Sequence, residues 1–397
     1  MVVESIPLKP EFLPAKMKLV TDEMKRQGVD LWITFTREGN QDPVSEDLMF
    51  GNLTWRSAAL ISSDGGRAAI VGSLEVEAVR DRGFYDSVYG YGNEGVAPKL
   101  RELVSKRKPK KIALNSSYDF GAADGLSTGM NSYIRRALKE HATKFVSSEY
   151  LVVALKTVLV PGEVALLRKS VELCQKIYSE TEREVIRPGK TDRQIHKFMG
   201  DRVREMGLQP AWAEDHCPSV LIGSDPAGHK GYYGSTLKNG QFLKIDFGVR
   251  HEGYCSDIQH CYFVGSRSVP SEIRALFDAA RAASDAALSK LGPGVRGYAV
   301  DHAARQKIVS SGYPEFMHAT GHPLGRSTHE LGPLLGPRWP WRYGGAPNMR
   351  VQKNMAFAIE PTAEGKNGTC NLEQDVLVTP TGYVELSKSQ EELLVIG

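Results

Sequence analysis

No apolar run in the 397-residue chain reaches the roughly 18 residues needed to cross a bilayer. The stretch 150–160 comes nearest, and Lys156 interrupts it. The opening, Met1-Val2-Val3-Glu4-Ser5, has no apolar core of signal-peptide length. No membrane partner is expected, and a cytoplasmic location is. Cysteine is scarce and scattered: Cys174, Cys217, Cys255, Cys261 and Cys370, an odd number without a CxxC pair. That excludes a disulfide framework and a zinc ribbon. Cys255 and Cys261 fall on one predicted strand, 254–264, where period-two alternation puts both on the same face as buried small hydrophobes. An excess of one charge is also missing. Net charge is +3, too little to mark nucleic acid as a partner. The basic run Lys106 to Lys111 is short, contains Pro109, and reads as a solvated loop before a strand.

What is present suits two domains, since a domain takes roughly 150 residues. The first part reads as mixed α/β. A strand at 29–35 follows an amphipathic helix ending near Gly28. Strands at 57–62 and 67–72 make a hairpin that turns at Asp64-Gly65-Gly66. Helices at 96–106 and 130–141 flank a strand at 111–115. The Gly-rich stretch 121–129 follows no strand and lacks phosphate-loop spacing. A boundary falls near Val160-Pro161-Gly162. A long helix from 163 to about 187 stops at Pro188-Gly189. The next opens with Thr191-Asp192-Arg193-Gln194, a capping box. Strands follow at 219–223, 241–248 and 254–264. The order then recurs: a helix at 271–291, a stop at Pro293-Gly294, a helix at 297–311, and strands at 355–361, 372–379 and 383–386. The spacing implies a C-terminal domain of two similar αβ halves, with domains at 1–158 and 159–397.

Four segments carry candidate chemistry. Ile245-Asp246-Phe247-Gly248 and Tyr254-Cys255-Ser256-Asp257-Ile258 flank a short loop, 250–253. A hairpin centred there sets Asp246 and Asp257 nearly opposite, with Cβ atoms about 5 Å apart. Two carboxylates so close need a cation or a shared proton. Asp246 sits in an apolar run, so it needs a partner. Phe357-Ala358-Ile359-Glu360-Pro361 and Asn371-Leu372-Glu373-Gln374-Asp375 place two more acids on strands joined by a turn at 366–368, so Glu360 and Glu373 are expected to face each other. The fourth segment, 318–330, carries His322 and His329. Taken one at a time, each of these residues also reads as an ordinary paired acid or a structural histidine. Together, four carboxylates and one imidazole can hold two divalent ions about 3.5–4 Å apart. Oxygen-rich ligation with one nitrogen favours Mn, Co, Fe or Zn.

The set IDFG…CSD, GHPLG…HE, AIEP and NLEQDVLVT resembles the pita-bread metallopeptidases, a family that includes methionine aminopeptidase, prolidase, aminopeptidase P and the metal-free relative creatinase. The resemblance covers roughly 160–397. It implies an α+β architecture: a two-half pita-bread catalytic domain after a smaller α/β domain of creatinase type. It implies that Asp246 chelates one metal, His322 and Glu360 the other, and that Asp257 and Glu373 bridge both. It further implies attack of an activated water on the scissile carbonyl, with Glu360 as proton shuttle. His329 would stabilise the oxyanion or hold the substrate amide, and His229 would be a second substrate-contacting histidine. A short peptide or small amide is the implied substrate, most readily at an Xaa-Pro bond, and a homodimer the implied assembly.

The pattern departs from prolidase-like members at four places. The segment around His229 is shortened. The Arg that commonly follows the His-Glu pair is missing from Leu331-Gly332-Pro333. Asn371 stands where an Arg is usual. An insert, 336–343, brings Arg338, Trp339, Trp341 and Arg342. It reads either as a loop packing its own tryptophans or as a pocket wall in which Arg338 or Arg342 grips a substrate carboxylate. If neither does, longer Xaa-Pro peptides should be cut at least as well as dipeptides. Two other readings stand beside the peptidase. One is a small-metabolite enzyme on the same fold, like creatinase or the sulfoniopropionate lyases, which tend to carry a further acid where Gly248 stands. The other is a non-catalytic binding module, against which all five ligands are intact.

Overall fold

The computed structural model describes every residue except 1–5, 226–229, 266–267 and 367. The chain divides between Lys156 and Thr157 into two compact units, Pro7–Lys156 and Thr157–Gly397, and Ile6 belongs with the second.

In the first unit α1 (Leu13–Gln27) ends at Gly28, whose φ of 65° favours a residue without Cβ. Then come β1 (Leu31–Thr36), β2 (Ser57–Ser62), β3 (Arg67–Gly72), α2 (Val76–Arg80), β4 (Ser87–Tyr91), α3 (Val96–Arg107), β5 (Ile112–Leu114), α4 (Thr128–Ala137), β6 (Phe145–Ser147) and α5 (Glu149–Lys156). The strands form one sheet in the order β4-β3-β2-β1-β5-β6. Its two faces carry different cores. Leu60 and Ile70 pack with Leu100, Val104, Met130 and Ile134, while Ala59, Ala69 and Val71 pack with Phe50 and Val79. The basic run is not one loop. Lys106 and Arg107 close α3, favoured there by the helix dipole, and Lys108 turns the chain with a φ of 49°.

The second unit opens with α6 (Pro161–Glu184) and α7 (Asp192–Glu205). The expected capping box starts α7: Thr191 Oγ1 accepts from Gln194 N at 3.2 Å, and the Thr191 N–H donates to Gln194 Oε1 at 3.0 Å. There follow β7 (Gln209–Pro210), β8 (Ser219–Ile222), β9 (Gln241–Phe247), β10 (Val249–His251), β11 (Tyr254–Cys255) and β12 (Ile258–Val264). The pattern repeats with α8 (Ser271–Lys290), α9 (Gly297–Ser310), β13 (Gly321–Leu324), α10 (Pro340–Tyr343), β14 (Ala356–Ile359), β15 (Thr362–Gly365), β16 (Gly368–Asn371), β17 (Gln374–Thr379), β18 (Gly382–Glu385) and β19 (Leu394–Ile396). The two larger sheets run β19-β12-β9-β8 and β13-β14-β17-β18. Ile177, Ile195 and Met199 of α6 and α7 bury against Val220, Leu243, Ile245 and Ile258. Gly189 and Gly294 take φ of 89° and 84°, so the two Pro-Gly turns are alike, but both lie beyond the helices, which end at Glu184 and Lys290.

Two expectations are corrected here. The turn lies at Glu252-Gly253, with φ of 47° and 93°, the two positive values that a two-residue hairpin demands. His251 therefore pairs with Tyr254 and Asp246 with Gln259, so Asp246 and Asp257 are diagonal neighbours, not opposite. The strand 254–264 is also broken at Ser256-Asp257, which puts Cys255 on β11 and Cys261 on β12. Both thiols are buried and free. Cys255 lies 3.6 Å from the Arg326 carbonyl and Cys261 lies 3.2 Å from that of Asn371.

Candidate metal centre

Asp246 and Asp257 come from the first half. Asp246 is the penultimate residue of β9, and Asp257 fills the gap between β11 and β12. From α6 the Tyr178 hydroxyl lies 2.9 Å from the Ile245 carbonyl and 2.8 Å from that of Ile258, so one side chain pins both acid-bearing segments. The Asp257 N–H donates to the Asp375 carboxylate at 3.0 Å. Gly248 is required in this fold, because a Cβ there would fall 2.1 Å from the Ser256 carbonyl oxygen.

His322, Glu360 and Glu373 come from the second half. His322 pairs with Ala358 across β13 and β14. Ile359 pairs with Gln374 and Thr362 with Asn371, and that common register puts Glu360 opposite Glu373, as expected. The segment before His322 is held by α9: Asp301 accepts from Thr320 Oγ1 at 2.9 Å, and Arg305 donates to the His318 carbonyl at 2.9 Å. A bridge between Gln259 and Glu373 joins the halves. Since Gln259 is the partner of Asp246, the bridge delivers Glu373 to the aspartates.

The donor atoms converge. His322 Nε2 stands 3.7 Å from Asp257 Oδ2, 3.7 Å from Glu360 Oε1 and 3.9 Å from Glu373 Oε1. These separations exceed hydrogen-bond length and suit groups arranged about a shared cation. His322 Nδ1 lies 3.4 Å from the Pro323 carbonyl, which places the proton on Nδ1 and aims the Nε2 lone pair at the carboxylates. Asp257, His322 and Glu373 each offer a ligand atom within 4.8 Å of the others. Asp246 Oδ1 is buried and meets no hydrogen-bond donor.

Left without a cation, this cluster resists ionisation. Burial first, opposed by Lys244, pushes Asp246 up to about 7. Burial and then the Asp246 charge push Glu360 up to about 8. Burial, with neighbouring carboxylates next, drives Asp257 and Glu373 well above the usual range. Burial holds His322 far below its ordinary value, hence neutral. A lone pair facing carboxylates and an orphaned carboxylate oxygen are what a bound cation would satisfy, so the residues fit a divalent metal.

The other candidates fall in different places. His329 is exposed, its ring edge-on to His322 with centroids 4.2 Å apart. His229 lies outside the described residues. Arg342 donates to the Met317 carbonyl at 2.6 Å, beside His318. Arg338 stacks its guanidinium on Tyr298 of α9 at 3.4 Å. Trp339 stacks with Trp341 and with Tyr343, so the insert does pack its own aromatics. Sequence reasoning passed over Tyr178, Asp375 and Lys244. The last two stand two residues from a ligand on the same strand or its extension, a spacing that could have marked them.

The profile of Metallopeptidase family M24 matches residues 165–380, more than half of the chain, and the chain belongs to that family. It is a metallopeptidase by that membership. A Bacillus subtilis (strain 168) protein that carries a dipeptidase name, YkvY, is 27% identical over 332 residues, covering 81% of this chain and 84% of that protein. Among solved structures, dipeptidase PepE from Mycobacterium ulcerans superposes with a TM-score of 0.72 at 20% identity, covering 98% of this chain and 100% of the other. The Xaa-Pro dipeptidase from Bacillus anthracis gives 0.70 at 21% identity, covering 96% and 99%. These likenesses establish the two-unit fold with its pita-bread domain.

Proposed function

We propose that the centre holds two divalent ions, manganese or cobalt foremost with zinc or iron as alternatives, and cleaves short peptides at Xaa-Pro bonds. Asp246 would ligate one ion, His322 and Glu360 the other, with Asp257 and Glu373 shared. The observation that carries this reading is the unprotonated His322 Nε2 facing three carboxylates at 3.7–3.9 Å. Divalent ions supply Lewis acidity there, acidifying water and polarising a carbonyl.

The chain's own groups do the rest. Glu360, the ligand with 22% of its side chain exposed, can reach a substrate and move a proton between water and the leaving nitrogen. His329, on the open side of His322, is placed to donate to the carbonyl oxygen as charge develops. His229 is the proposed second contact to the substrate. Arg342, which reaches the Met317 carbonyl beside His318, is the proposed grip on a substrate carboxylate; Arg338 is a secondary candidate. The crowding at Gly248 supports a peptidase over a lyase-type site, since no further acid fits at that position.

The test is a panel of Xaa-Pro dipeptides, Xaa-Pro tripeptides and peptides without proline, each with Mn or Co. The reading predicts cleavage of the proline peptides, loss with chelator and recovery on adding metal. Failure on every proline peptide would overturn the Xaa-Pro assignment and favour a small metabolite.

A further inference from the structure

Lys244 is a buried cation outside the ligand set just proposed. It lies on β9 two residues before Asp246, hence on the same sheet face, and is 6% exposed. Its Nζ donates to Thr369 Oγ1 at 3.0 Å and Asn371 Oδ1 at 3.1 Å, both neutral. Burying an ammonium among neutral partners is unfavourable unless nearby charge offsets it. The carboxylates whose charge it feels are those of Asp246 and Glu360.

From Lys244 a chain of hydrogen bonds continues. Asn371 Nδ2 donates to Thr362 Oγ1. The Thr362 hydroxyl lies 2.7 Å from His318 Nε2, and His318 Nδ1 lies 2.7 Å from the Ala319 carbonyl. Both ends fix the polarity. An ammonium only donates, so Asn371 must turn its oxygen toward Lys244 and its NH₂ toward Thr362. A carbonyl only accepts, so His318 carries its proton on Nδ1 and takes the Thr362 proton at Nε2. Every link therefore points from Lys244 to Ala319. Lys244, Thr362 and Asn371 each stand two residues from a proposed ligand, Asp246, Glu360 and Glu373 respectively, and His318 leads into His322. The chain thus crosses all four of these ligand-bearing segments.

We propose that Lys244 is a positioning residue for the metal centre: its ammonium orients the Asn371–Thr362–His318 chain, which holds the ligand segments of both halves in register, while its charge offsets the carboxylate excess. The proposal rests on the metal-centre reading above. A direct grip on a substrate carboxylate is the competing role, and burial speaks against it.

Calorimetric titration of manganese into metal-stripped wild type, Lys244→Met, Lys244→Arg and Thr362→Val tests this. It is paired with the ¹⁵N shift of His318 Nε2, which reports whether that lone pair accepts a hydrogen bond. Lys244→Met should weaken manganese binding roughly 10- to 100-fold. It should lower kcat alike on Xaa-Pro dipeptides and tripeptides, with KM within about threefold. Lys244→Arg should recover most of the loss. So should Asn371→Arg added to Lys244→Met, because it returns a cation to the same spot. The His318 resonance should move in both Lys244→Met and Thr362→Val. Wild-type manganese affinity in Lys244→Met, or a KM rise confined to dipeptides, overturns the proposal. If Lys244→Met does not fold, an unmoved His318 resonance in Thr362→Val overturns it instead. Wild-type protein that takes up no manganese defeats the metal reading itself, and the wild-type titration alone reveals that.

Discussion

Gln259 and Glu373 exchange backbone hydrogen bonds of 3.3 and 3.1 Å, and the exchange seats a carboxylate of one half beside the aspartates of the other. Asp257 and Glu373 are the acids proposed to serve both ions. Asp257→Asn and Glu373→Gln should each leave about 1% of kcat or less and weaken metal binding. The fold should survive. Removing one member of a crowded carboxylate cluster relieves repulsion, so the metal-free thermal midpoint should stay at or above that of wild type. Activity above a few per cent in both variants would remove these residues from the ligand set.

Tyr178 offers a test of the scaffold behind the site. Tyr178→Phe leaves the Ile245 and Ile258 carbonyls without their shared hydroxyl and should lower stability by about 1–2 kcal/mol. Denaturant unfolding measures the loss, and manganese affinity should fall with it. Unchanged stability and affinity would mean that the strands hold Asp246 and Asp257 unaided.

The pH dependence of metal-free stability follows from the displaced carboxylates. Asp246 ionises near 7 instead of 3.8, and Glu360 near 8 instead of 4.5. Between those limits the folded chain holds more protons than the unfolded chain, so stability falls as pH rises. His322 and His318 act oppositely, but only below 6.5, where the unfolded imidazole is charged. Scanning calorimetry of the metal-free protein should therefore show the midpoint falling from about pH 6.5 to about pH 8, and manganese should abolish the fall. A flat or rising midpoint without metal would contradict the buried, unbalanced cluster.

The proposed site was legible in the sequence mainly as a set, with acids inside apolar strands as its first sign, although each acid alone also reads as an ordinary paired one. Asp246 in an apolar run and Glu360 after Phe357-Ala358-Ile359 announce themselves that way. The Glu360–Glu373 register was readable from the turn between them. The Asp246–Asp257 register was not, because a loop of four candidate residues does not reveal which two take positive φ. Glu252 does so here without being Gly, Asn or Asp. Lys244 stayed hidden for a different reason. A lone lysine in an apolar strand reads as one whose long stem carries its charge out to water, whereas contacts from β16 hold the Lys244 ammonium inside.

Arg342 and Arg338 separate in the structure, and kinetics should separate them too. Arg342→Ala should raise KM for Xaa-Pro dipeptides by roughly 10- to 150-fold, the worth of a charged hydrogen bond of about 1.5–3 kcal/mol, and change tripeptide KM little. Arg338→Ala should leave both nearly unchanged, since its guanidinium is stacked on Tyr298. A dipeptide preference that survives both substitutions would place the grip elsewhere.

The central claim is a site for two ions. Elemental analysis of the purified protein, with calorimetric titration of the metal-stripped chain, tests it most directly. Four carboxylates and one neutral imidazole predict close to two manganese ions per chain, with activity rising as they load. Full activity in chelator, with no metal retained above background, would contradict it.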